Sequence, residues 1–100
     1  SHRRWWNRQR GYFQASYLLG RITEAQYLKH PWCLYAPAEL LFLKAMLAER
    51  RGDAASALAD YRAWQALPTW KREFYQDPCW QELATWRIGV LSQVPPVHAP

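Results

Sequence analysis

Between Pro37 and Pro68 the chain carries no other proline and a single glycine, Gly52, followed at once by Asp53. That punctuation constrains the fold more than any other feature. Proline is tolerated in the first turn of a helix and blocks its interior. Glycine closes a helix by adopting the left-handed conformation. An aspartate after it can accept a hydrogen bond from the orphan amides of the next helix. The pattern predicts one helix over about 37–51, a tight turn at Gly52-Asp53 and a second helix ending at Pro68. Leu40, Leu41, Phe42, Leu43, Ala45, Met46, Leu47 and Ala48 make the first helix apolar nearly all round, which requires burial on more than one side. In the second, Ala54, Ala57, Leu58, Tyr61, Trp64 and Leu67 recur at spacings of three and four and form one stripe.

The remaining segments read the same way. Strand signals are nearly absent, and Ala, Leu, Arg, Gln and Glu dominate. A first helix spans about 3–19, with Trp5, Trp6, Tyr12, Phe13 and Tyr17 within one arc of roughly 120°. Arg3, Arg4, Asn7, Arg8 and Gln14 lie opposite, Arg10 at the edge, and Gly20 closes the helix. Thr23 and Gln26 fit a capping box that opens a short helix ending near His30 and Pro31. Pro31 to Pro37 is an extended connection rich in large apolar side chains. Thr69 to Gln76 reads as a short helix. Asp77-Pro78 starts a last one to about Leu91, with Trp80, Leu83, Ala84, Arg87, Val90 and Leu91 near one face. The expectation is an all-α chain of five to six helices. With 100 residues it makes a single domain over 1–91 and a flexible tail over 92–100.

Ala38 to Pro68 resembles a tetratricopeptide repeat, a helix–turn–helix unit. The matching residues are Ala45, the Gly52-Asp53 turn, Ala57, Leu58, Tyr61, Leu67 and the closing proline. Leu41, Lys44 and Trp64 depart from the pattern, which usually carries Trp, Leu and a small residue there. A fainter echo precedes it over about 5–31, where Gly20 and Ala25 correspond to Gly52 and Ala57, and closing helices follow over 69–91. The resemblance implies antiparallel helix pairs in a small right-handed array. It also implies a partner-binding groove lined by Glu39, Phe42, Met46, Glu49 and Arg50. That mixture of apolar and oppositely charged side chains suits an amphipathic peptide or helix of a protein partner. The alternative is that Phe42 and Met46 are covered by the N-terminal helices of this same chain.

The net charge of +5 is segregated. Arg3, Arg4, Arg8, Arg10 and Arg21 stand before the first acid, Glu24; beyond them bases and acids balance. A nucleic-acid-binding domain more often spreads its bases over one folded face. Arg3-Arg4-Trp5-Trp6-Asn7-Arg8-Gln9-Arg10 admits three readings. It is a solvated helix start with docked tryptophans, a membrane-proximal segment on the cytoplasmic side of an inner membrane, or a phosphate-binding, base-stacking arm. The chain opens on Ser1-His2 rather than Met, and we read it as a segment cut from something longer.

No catalytic arrangement is read. His2, His30 and His98 have no triad spacing to a nucleophile or acid, and no glycine-rich phosphate loop occurs. Glu39 and Glu49 read as a solvated helix face. Cys33 and Cys79 form no CxxC, and His30 with Cys33 falls short of the four ligands of a zinc site; the cysteines read as buried or half-buried thiols in a reducing compartment, with a disulfide as the alternative. Neither metal nor cofactor is expected. Of the seven tryptophans, Trp64, Trp80 and Trp86 read as core. Trp5, Trp6, Trp32 and Trp70, near ends and loops, are candidates for an apolar binding surface. The expected function is a non-catalytic protein-interaction scaffold, the cytosolic part of an inner-membrane envelope or export complex. The alternative is a basic-tailed regulatory or nucleic-acid-binding helical module.

Overall fold

The helix stops behave as the local chemistry dictates. The structure is a computed structural model, and it describes residues 11–29, 35–72 and 78–93. Residues 11–18 are helical (α1). They are followed by α2 (Glu24–Leu28), α3 (Ala36–Arg50), α4 (Ala54–Ala66), α5 (Thr69–Arg72) and α6 (Pro78–Leu91). No strand occurs among the described residues. The basic tryptophan segment 3–10, the connection around Trp32 and Cys33, the Asp77 cap, residues 73–76 and the tail from 94 lie outside them.

Gly20 and Gly52 end α1 and α3 with φ of +75° and +83°. After α1, Gly20 N donates to Tyr17 O at 3.0 Å and Arg21 N to Ser16 O at 2.8 Å. After α3, Gly52 N donates to Glu49 O at 3.0 Å and Asp53 N to Ala48 O at 2.9 Å. Both are Schellman closures, in which a left-handed residue lets two amides fold back onto orphan carbonyls. Restart is just as local. Thr23 Oγ1 accepts from Gln26 N at 3.1 Å, while Gln26 Oε1 accepts from Thr23 N at 2.7 Å. Asp53 Oδ1 accepts from Ser56 N at 3.1 Å to open α4; the Ser56 side chain, and then this amide, hold the Asp53 carboxyl below its ordinary range.

A Cβ at Gly52 would meet open space, so the cost of Gly52→Ala is backbone strain alone. A left-handed non-glycine residue costs roughly 1–2 kcal/mol. Thermal denaturation should register that loss, with Gly89→Ala, in the last turn of α6 and also facing open space, gaining instead of losing because alanine is the better helix former.

α3 and α4 pack as a hairpin, and α3 is buried on two sides, as its apolar composition predicts. On one side Phe42, Ala45 and Ala48 join Ala57, Tyr61 and Trp64 of α4 and Ala84 and Leu91 of α6. Here Phe42 stacks on Trp80 with ring centroids 4.3 Å apart and meets Trp64 and Tyr61 edge-on at 5.0 and 5.4 Å. Aromatic pairs in such geometries contribute about 0.5–1.5 kcal/mol each beyond area burial. Ala45 and Ala57 are fully buried within this cluster, where side chains without bulk let the helices approach. On the other side Leu40 and Leu43 pack with Tyr27 of α2, and Phe13, Tyr17, Leu18 and Ile22 close over them.

Several expectations fail. Trp86 is 60% exposed rather than core, and Val90 is exposed rather than inward. Trp80 and Trp86 stand six apart, so at about 100° per residue they lie some 120° apart round the helix and cannot share one narrow stripe. Tyr12 is exposed while Phe13 and Tyr17 of the same arc pack inward. Cys79 is exposed, not buried. Gly20 closes α1 as Gly52 closes α3, whereas Ala25 faces solvent; α2 ends at Leu28, with Tyr27 as its only buried residue. Lys44, where the repeat pattern expects Leu, reaches Glu24 at 3.6 Å from a half-exposed position.

Candidate functional site

The five residues expected to line a groove do not form one open stripe. Glu39 and Phe42 are each only 1% exposed. Phe42 is the centre of the aromatic cluster. Glu39 accepts from the Tyr27 hydroxyl at 2.9 Å and from Gln14 Nε2 at 3.1 Å. A carboxylate out of water needs such donors, so Glu39 ties α1 and α2 to α3 and is no part of a solvated face. The alternative, that the N-terminal helices cover Phe42 and Met46, fails for Phe42, which is covered by α4 and α6; Met46 is only partly buried and packs against both clusters.

Further along α3 the structure does bring the expected residues together. Met46, Glu49 and Arg50 line a shallow concavity of about 380 Å³ with Tyr61 of α4 and Leu83 and Arg87 of α6. Glu49 organises it. Arg87 grips the Glu49 carboxylate with two bonds, Nε to Oε1 at 2.9 Å and a guanidinium nitrogen to Oε2. The Tyr61 hydroxyl donates to Oε1 at 2.9 Å. Planar two-point pairing of this kind is the strong form of an arginine–carboxylate contact. The Arg87 bond holds the Glu49 carboxyl below its ordinary range, against an opposing push from burial. Burial, then the bond to Glu49, pushes the Tyr61 hydroxyl far above its ordinary value. Arg87 is held charged by the same carboxylate, and its guanidinium also lies 4.6 Å from the centre of the exposed Trp86 ring.

Tyr61, Leu83 and Arg87 were not among the groove residues read from the sequence. A signal existed for the first. Tyr27 and Tyr61 stand 34 positions apart, and each reaches a glutamate of α3 from the helix on either side. No comparable signal existed for Leu83 and Arg87, since the register of α6 on α3 is set across an unpatterned connection.

A second concavity, of about 520 Å³, lies at the other end of the hairpin and is lined by Tyr35, Pro37, Ala38, Leu41, Leu67, Trp70 and Lys71. Trp70, in the short helix α5, is 71% exposed there. Arg3, Arg4, Trp5, Trp6, Arg8 and Arg10 fall outside the described residues. Among those described, no helix is long and apolar enough to cross a membrane, and no group of His, Cys, Asp and Glu could hold a metal ion.

Compared with protein families, curated proteins and solved structures, the chain shows no significant match.

Proposed function

We propose that this chain is a non-catalytic scaffold that binds a protein partner across the face shared by α3 and α6. The observation that supports it is the concavity of Met46, Glu49, Arg50, Tyr61, Leu83 and Arg87. Its apolar side chains are edged by a carboxylate and two guanidinium groups, the complement of an amphipathic helix or peptide. The reading takes the α3–α4 hairpin as a tetratricopeptide-like unit in a right-handed array, with α3 as the helix that faces the partner. It also takes the segment Arg3, Arg4, Trp5, Trp6, Arg8 and Arg10 as a contact with the inner face of a membrane, where arginine and tryptophan are favoured.

Arg50 supplies the cleanest test, because it is exposed and outside both core clusters. Helical peptides selected from a displayed library against the domain should lose about ten-fold in affinity on Arg50→Glu, with circular dichroism unchanged. Raising salt from about 0.1 to 0.5 M should weaken them far less than it weakens a protein that neutralises many phosphates. Equal affinity for the variant, or binding only of nucleic acid with a steep salt slope, overturns the reading.

A further inference from the structure

The concavity at the opposite end of the hairpin has a chemistry of its own. Pro37, Ala38 and Leu41 come from the start of α3, Leu67 from the end of α4, and Trp70 and Lys71 from α5. Its volume of about 520 Å³ falls within the roughly 300–1,000 Å³ typical of ligand clefts. The lining side chains are apolar except for the Tyr35 hydroxyl and one cation, Lys71.

Two features mark this cleft as unfinished by the described residues. Trp70, the largest side chain in it, stays 71% exposed, whereas Trp64, six residues earlier in α4, is completely buried. The Lys71 ammonium sits 5.1 Å from the centre of the Trp70 ring, and among the described residues no carboxylate pairs with it. The neighbouring Arg72 is engaged, donating to Gln81 Oε1 at 2.6 Å and to Thr69 Oγ1 at 3.2 Å. Lys71 is therefore the cation that the cleft offers.

We infer that this cleft docks a peptide segment of a protein partner that presents a leucine-sized apolar side chain next to a carboxylate. The apolar group packs between Leu41, Leu67 and the Trp70 ring. The carboxylate reaches the Lys71 ammonium, which the ring already holds at the rim. Charge complementarity selects this occupant: a neutral apolar segment would leave the ammonium beside it without a counter-charge, and a basic one would repel it. The site is separate from the α3/α6 face and does not depend on it.

Two dipeptides test the proposal, acetyl-leucyl-aspartate amide and acetyl-leucyl-asparagine amide, titrated into the isotope-labelled chain with the Trp70 indole N–H as the probe. The aspartate peptide should shift that signal and bind about three- to five-fold more tightly than the asparagine peptide, the usual reach of an exposed ion pair. Lys71→Gln should level the two. Trp70→Ser should abolish both, and since Trp70 is mostly exposed the variant should keep native helicity. Equal binding of the two peptides by the unaltered chain, or no movement of the Trp70 signal with either, overturns the proposal. So does a single-stranded oligothymidylate that moves Trp70 where the dipeptides do not, which would make the ring a base-stacking platform.

Discussion

Phe42→Ala should cost about 3–5 kcal/mol, the range for removing a fully buried aromatic ring. The ring is stacked on Trp80 and met edge-on by Trp64 and Tyr61, so its loss opens a cavity touching three helices. Collapse into that cavity is resisted from two directions, because Ala45 and Ala57 beside it have no bulk to bring in. For a domain of this length each kcal/mol moves the melting temperature by about 4–8 °C, so the midpoint should fall on the order of 20 °C. Small domains hold about 5–15 kcal/mol in total, and an Asp at the same position, with a buried unpaired charge in addition, should not fold. Met46→Ala, at a half-buried position of the same helix, should cost clearly less. Urea denaturation of the two variants decides the matter: equal losses would mean that Phe42 is not the hub that its ring contacts describe.

The contrast between Phe42 and the helix ends shows what the sequence could reveal. Thr23 with Gln26, Gly20, Gly52 and Asp53 were legible because each acts on amides within five residues of itself. The near-uniform apolarity of α3 also told correctly that it is covered on more than one side. It could not tell which neighbour covers which residue. Phe42 and Met46 lie one turn apart on α3, yet the first is sealed under Trp80 and the second remains at the edge of the concavity, because Trp80 enters from α6. The same limit applies to Val90. Val90 lies about 40° round α6 from the exposed Trp86, while the core is met by Ala84 and Leu91. Glu39 and Glu49 illustrate the cost of reading charge as exposure. Their partners, Tyr27, Tyr61 and Arg87, stand 12 to 38 positions away, beyond any local pattern.

Removing Glu49 should have the second largest effect and should carry a pH signature. Glu49→Leu leaves the Tyr61 hydroxyl, buried with its residue at 1% exposure, without its acceptor and the Arg87 guanidinium without its counter-charge. An unsatisfied buried group costs about 1–3 kcal/mol, and a partly exposed broken ion pair adds less than a fully buried one; the sum should be about 2–3 kcal/mol. The Glu49 carboxyl is held below its ordinary value of 4.5, chiefly by Arg87. The folded chain therefore binds that proton more weakly than the unfolded chain does. The stabilisation is complete above about pH 4.5 and is lost as pH falls through the lower folded value. The stability difference between the native chain and Glu49→Gln should then be largest near neutral pH and should shrink below pH 4.5. Urea midpoints at pH 7, 5, 4 and 3 measure it directly. A difference that stays constant across that range would mean that the Glu49–Arg87 pair contributes nothing through its charge, and that the α3/α6 face is held by Leu83, Met46 and the aromatic cluster alone.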